Sequence, residues 1–198
     1  NSPGAAGNVA ANLAALGVHV AALGVIGEDG QGYDLARELD ARDIDSGPLF
    51  RLSDRFTPTY TKPLMHEPDG RVHELSRLDV KNRQPLEPEV EDAIVARLAE
   101  LLAEADGVVV ADQAQERNCG VVTDRVRQAL VDLAGRQARK VFLVDSRTRI
   151  GEFGGLFLKP NEREAIAAVH PGAVGPFSLD LAAEAGRTPL MLDVDPAG

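Results

Sequence analysis

Five stretches of this sequence bring together side chains or bare backbone that could hold a ligand. Pro3-Gly4-Ala5-Ala6-Gly7-Asn8-Val9-Ala10 runs into a helical pattern. Small residues let backbone amides approach a ligand, and a helix amino terminus favours anionic or hydroxyl-rich groups, although such a run also serves as a plain tight turn. Thr57-Pro58-Thr59-Tyr60-Thr61-Lys62 reads as a strand with Tyr60 and Lys62 on one face and Thr59 and Thr61 on the other, and Arg77-Leu78-Asp79 closes the same region. A charge on a small sheet is otherwise simply solvated. Asp112 follows the apolar run Val108 to Ala111, and Asp145 follows Val141 to Val144. A carboxylate at the end of a buried strand either caps the next turn or faces a ligand. Lys159-Pro160-Asn161-Glu162-Arg163-Glu164 opens a helix with an amide and two carboxylates in its first turn. His19, His66, His73 and His170 show no metal-site spacing, and Cys119 has no base near it in sequence and reads as filler.

The elements that must position these groups follow from periodicity. Val9, Ala10, Leu13, Ala14 and Leu16 predict a helix over 8–16 stopped by Gly17, and Val18 to Ile26 a mostly apolar strand. A loop over 27–32 and a helix over 33–41 come next. Leu49 to Leu52, Thr59 to Met65 and Val72 to Leu78 then read as an antiparallel insert of about three strands, punctuated by Pro58, Pro68 and Asp69-Gly70. From Pro88 the helical period returns through Val90, Ile94, Leu98, Leu101, Leu102 and Ala105 behind a glutamate-rich first turn. Val126, Ala129, Leu130 and Leu133 form another helical stripe, and Leu156 to Leu158 a third apolar run. Strands alternating with helices imply a parallel sheet covered by helices, with ligands at the carboxyl ends of the strands.

Composition narrows the partners. The chain has 198 residues, 44% of them hydrophobic, and a net charge of -10 with no basic cluster, which argues against a nucleic-acid or anionic membrane surface. One cysteine excludes an internal disulfide framework and suits a reducing, cytoplasmic setting. No apolar run reaches the roughly 20 residues of a membrane-spanning helix.

Asn8, Ala10, Gly17 and Gly27 stand at the spacing of the first signature of the PfkB (ribokinase-like) sugar kinases, which the chain resembles, with heptose-phosphate kinases the nearest group. Pro3 and an additional small residue before Asn8 depart from that signature. The resemblance implies a three-layer α/β/α core, residues 1–45 and 81–198, carrying a β-sheet lid at 46–80. It implies that Gly4 and Asn8 hold sugar hydroxyls and that Asp112 lies beside the sugar. Lys62, and less directly Arg77, would contact a phosphate already on the acceptor. Lys159 to Glu164 is similar to the family's Pro-Asn-x-x-Glu motif, so Asn161 would touch nucleotide phosphate and Glu164 would orient water on magnesium, with Asp145 in support. The implied activity is transfer of the γ-phosphoryl group of ATP, with magnesium, to a sugar or sugar phosphate. Ribokinase-, fructokinase- or nucleoside-kinase-like activity is the alternative, and a non-catalytic sugar- or nucleotide-binding protein the rival. Asp193 to Gly198 resembles the opening of the family's second signature, which places the expected catalytic base beyond Gly198. A homodimer through the lid is expected because a small exposed sheet has edges to protect.

Overall fold

The computed structural model describes residues 2–170, so the signature-like stretch Asp193 to Gly198 lies outside the described residues. The chain divides between Gln84 and Pro85 into two compact units.

The first unit opens with α1 (Gly4–Ala15), which begins earlier than the periodicity predicts and takes the small-residue run into its first turns. The Pro3 ring folds back onto Gly7, where a Cβ would sit 2.5 Å from the Pro3 Cβ. The bare Gly7 therefore lets the helix start at Gly4 rather than at Asn8. The stop at Gly17 is as expected: at φ 82° it turns the chain so that Val18 N donates to Leu13 O and Gly17 N to Ala14 O, satisfying carbonyls the helix would leave unpaired.

The single strand expected from Val18 to Ile26 is two short ones, β1 (Val20–Ala21) and β2 (Gly24–Gly27). Helix α2 (Gly30–Asp40) follows, and then β3 (Ile44–Asp45) and β4 (Leu49–Leu52). β1 pairs with β3 and β2 with β4, both in parallel, with the second pairing shifted by one residue. The shift arises between β3 and β4, where the Asp45 carboxylate accepts from Gly47 N at 2.9 Å and Pro48 has no N–H to give the ladder. The structure corrects one assignment here. Leu49 to Leu52 is not the first strand of an antiparallel insert, because it runs parallel to β2. The insert itself is four short strands, β5 (Thr59–Thr61), β6 (Leu64–His66), β7 (Val72–Glu74) and β8 (Leu78–Val80). They form two antiparallel pairs, β5 with β8 and β6 with β7.

The second unit alternates helix and strand as predicted: α3 (Pro88–Glu104), β9 (Gly107–Asp112), α4 (Asp124–Arg136), β10 (Val141–Ser146), β11 (Phe157–Leu158) and α5 (Glu162–Val169). A short 3-10 helix, Ile150–Glu152, follows β10. The strands lie in the order β11-β10-β9, all parallel. Ile94, Leu98 and Leu102 of α3, Val126 and Leu130 of α4, Val110, Phe142 and Val144 of the strands and Ile166 of α5 are buried and form the core. Gly107 is required by the β9–β10 approach, since a Cβ there would lie 2.8 Å from Val141 O. Lys140 Nζ donates to Leu102 O and Ala105 O at 2.7 and 2.6 Å, a cationic cap on a helix with no basic residue in its last turn. Among the described residues no helix is long and apolar enough to cross a membrane.

Candidate functional site

Parallel pairing puts the carboxyl ends of β9, β10 and β11 on one edge, with Asp112 opposite Ser146. Both are buried. The Asp112 carboxylate accepts from Ser146 Oγ at 2.6 Å and from Arg149 Nη2 at 3.1 Å. Arg149, itself 7% exposed, also donates to Ala114 O and, at 3.2 Å, to Gln115 O. A carboxylate that looks from sequence like a lone strand-end acid is thus the anion of a buried, hydrogen-bonded ion pair. Arg149 gives no signal in sequence, because its partner is 37 residues away.

Asp145 points to the other face of β10 and meets Lys159 Nζ at 3.1 Å, in a half-exposed setting. Beyond Pro160, Asn161 caps α5. Its Oδ1 accepts from Glu164 N at 3.0 Å, while Glu164 Oε2 accepts from Asn161 N at 2.8 Å. This reciprocal capping box satisfies two amides at the head of the helix and fixes the relative placing of the two side chains. It engages one oxygen of the Glu164 carboxylate. Among the described residues, no group of three or more His, Cys, Asp or Glu is placed to hold a metal ion.

Between β9 and α4 the same unit carries a second charged group. Asp124 takes Arg117 Nε at 2.8 Å, Arg127 Nη1 at 2.9 Å and the Asn118 amide, and Glu152 takes both arginines. Burial pushes the Asp124 carboxyl up, but these hydrogen bonds outweigh it and hold the group below the ordinary aspartate value. Arg127 lies over the Phe153 ring at 5.5 Å, a contact that shelters its buried face.

In the first unit, Gly4 is the first residue of α1, at φ 74°, and Asn8 lies one turn along it. Both are exposed. Asn8 Oδ1 accepts from Ser2 Oγ at 3.1 Å. On the insert, Lys62 Nζ stands 3.1 Å from Glu74 Oε1. Arg77 forks onto Asp79 through Nε and Nη2 at 2.6 and 2.8 Å, and the hydrogen bonds and charge of Asp79 raise its already high pKa further; it also stacks 5.1 Å over the Tyr60 ring. The structure therefore gathers the expected residues into separate groups: Lys62 and Arg77 on the insert, Asp112 and Asp145 at the strand ends, and Asn161 with Glu164 at the head of α5.

A further group, centred on Asp29, was like the Asp124 group not read from sequence. Asp29 Oδ1 accepts from Gly32 N at 2.7 Å, capping α2, and its Oδ2 accepts from Thr57 N at 2.8 Å. Thr57 Oγ1 in turn accepts from Gly27 N at 2.9 Å. Burial raises the Asp29 carboxyl, but the amides of Thr57 and Gly32 outweigh it and hold the group below the ordinary value. The local signal was an aspartate three residues before Gly32 at the start of a helical pattern.

Comparison with known proteins assigns the chain to a family. The model of the pfkB family carbohydrate kinases matches residues 2–140, which include α1, the insert and Asp112. The chain belongs to the pfkB family. It is 30% identical over 166 residues, 83% of its length, to the bifunctional protein HldE of Trichlorobacter lovleyi. It is 34% identical over 184 residues, 91% of its length, to the bifunctional protein HldE of Bradyrhizobium diazoefficiens. It spans 32% and 35% of those relatives, about a third of their length. The Arabidopsis thaliana ribokinase complexed with ribose and ATP matches the fold with a TM-score of 0.56 and 17% identity, over 91% of this chain and 52% of that one. The pfkB chain thus has a ribokinase-like α/β fold.

Proposed function

We propose that this pfkB chain serves an ATP-dependent sugar kinase, which transfers the γ-phosphoryl group to a hydroxyl of a sugar or sugar phosphate, with a heptose phosphate the foremost acceptor. The observation that carries the reading is the carbohydrate-kinase match across residues 2–140. A heptose phosphate is placed ahead of a free pentose or hexose because the threonine-rich strand ending in Lys62, with the later Arg77, resembles the lid of heptose-phosphate kinases.

In this reading Gly4 and Asn8 hold acceptor hydroxyls at the exposed head of α1, where a helix terminus offers amides. Lys62 takes the acceptor's phosphate. It is suited to do so because 61% of its side chain is exposed and Glu74 holds it only through a solvated ion pair, which a phosphate dianion displaces. Arg77, forked onto Asp79, is less free to move and steadies the strand pair instead. Asp112 acts by fixing Arg149 and the strand ends, since both of its oxygens are engaged.

Bound ATP would supply the transferred group, and its magnesium would neutralise the phosphates. Asn161 and Glu164 fit that complex indirectly. The capping box fixes Asn161 and Glu164 at the head of α5, where a helix terminus favours a phosphate, and takes up one of the two carboxylate oxygens of Glu164. Asp145 orients Lys159 beside them. The lid role of the insert, and a homodimer through it, are supported by its exposed Tyr60, Leu64, Met65, Val72, Leu78 and Val80.

The experiment is a thermal-shift titration with ATP, magnesium and heptose phosphate, on protein that includes the second signature beyond Gly198, with ADP release followed in the same samples. Stabilisation with ADP release supports the kinase. Stabilisation without it favours the non-catalytic binding protein, and neither effect removes both readings.

A further inference from the structure

The insert has almost no core of its own. Every residue of β6, β7 and β8 is exposed, and each strand is three residues long. Two-stranded ribbons of this size are marginal by themselves, so their direction must be set at their base. The base is built more firmly than the insert. Phe56 N donates to Asn82 Oδ1 at 3.0 Å and Asn82 Nδ2 donates back to Phe56 O at 2.8 Å, so one amide side chain stands in for a neighbouring strand. Arg55 Nη1 donates to Gln84 O at 2.5 Å. These contacts tie the segment leading into β5 to the segment leaving β8.

The same segment is pinned to the parallel strands through Asp29 and Thr57. Arg55 and Thr57 are buried, at 7% and 6% exposure. The packing leaves no slack: a Cβ on Gly27 would lie 2.4 Å from Arg55 O, and one on Gly32 would lie 2.8 Å from Thr57 Oγ1. Bare backbone at these two positions is what lets the segment approach.

We infer that the Asp29–Thr57 pin and the Asn82–Phe56 clasp form the articulation of the insert, making Thr57 and Asn82 positioning residues that set where Lys62 is presented to an acceptor. The acceptor part rests on the kinase reading, whereas the articulation does not. The pin fixes the insert's root to the N-terminus of α2, and the clasp makes the two connecting segments move as one. Neither group touches an acceptor, so their effect is on position rather than chemistry.

The test is pulsed-dipolar spectroscopy on the full chain in a Cys119→Ser background, with spin labels at Asp69→Cys in the β6–β7 turn and Arg37→Cys on α2. Asn82→Ala and Thr57→Val are expected to broaden the distance distribution at least twofold, while Thr57→Ser, which keeps the acceptor oxygen, restores the narrow one. An unchanged distribution in Asn82→Ala overturns the inference, and this half-exposed substitution decides the matter alone if Thr57→Val does not fold. In the kinase assay the same variants should raise the acceptor KM about tenfold and leave the KM for ATP unchanged. Broadening with no change in acceptor KM overturns the positioning role and leaves the articulation standing. Broadening in a protein that carries the second signature beyond Gly198, and still shows no turnover with any acceptor, removes the kinase reading, again without touching the articulation.

Discussion

The insert and the carboxyl edge of β9–β11 both carry candidate binding charges, yet they hold them in opposite ways. On the insert Lys62 and Arg77 keep 61% and 52% of their side chains exposed while paired to Glu74 and Asp79. Water screens such pairs, so breaking one costs little and a ligand can replace the partner. At the strand edge Asp112 and Arg149 are nearly dry; Ser146 donates further to Asp112, and Arg149 donates further to Ala114 and Gln115 while its Nε is buried without a hydrogen-bond partner. Removing one partner there strands the other charge away from water. The same residue types are therefore exchangeable contacts in one region and fixed framework in the other.

The largest test of that contrast is Arg149→Leu, expected to cost about 3–5 kcal/mol by leaving the Asp112 carboxylate buried without its cation. Urea unfolding followed by circular dichroism measures it, and a loss below about 1 kcal/mol would erase the distinction. Next, Asn161→Ala removes the α5 cap and should cost about 1 kcal/mol. If the head of α5 also meets nucleotide, ATP affinity by calorimetry should fall roughly tenfold, more than the stability loss alone brings. Lys62→Ala should leave the unfolding midpoint where it is and raise the KM for a phosphorylated acceptor roughly tenfold. An unchanged KM would remove the phosphate contact.

The smallest effect concerns pH. The folded Asp29 carboxyl lies below its unfolded value of 3.8, so its stabilising contribution is complete above that value and is lost as pH falls through the lower folded one. Asp29→Asn should flatten the decline of stability below pH 3.8, and a decline as steep as in the parent would assign the acid sensitivity elsewhere.

Much of the second unit was legible. The α3 stripe through Ile94, Leu98 and Leu102, the apolar runs of β9 and β10 and the Asn161 cap all rest on spacings within one or two turns. The first unit was less so. The strand from Val18 to Ile26 breaks into β1 and β2 because of a turn at Asp45 and Gly47, on the partner strands. Leu49 to Leu52 looks like any half-buried strand, and only its partner β2 decides that it is parallel. The start of α1 was misplaced because the fold-back of Pro3 onto Gly7 is a contact, not a propensity.

By itself, then, the sequence determined the alternation of helices and strands, the helix stop at Gly17 and the helix start after Pro160, and the types of side chain at the strand ends. Those are local matters of periodicity, capping and backbone freedom. Tertiary structure alone decided that Asp112 is committed to Arg149, that Lys62 is left on a solvated pair, and that Asp29 pins Thr57. Each depends on whether water or a distant residue meets the charge. That choice is set by how the chain packs, because burial turns an ion pair from a weak, exchangeable contact into one that cannot be broken cheaply.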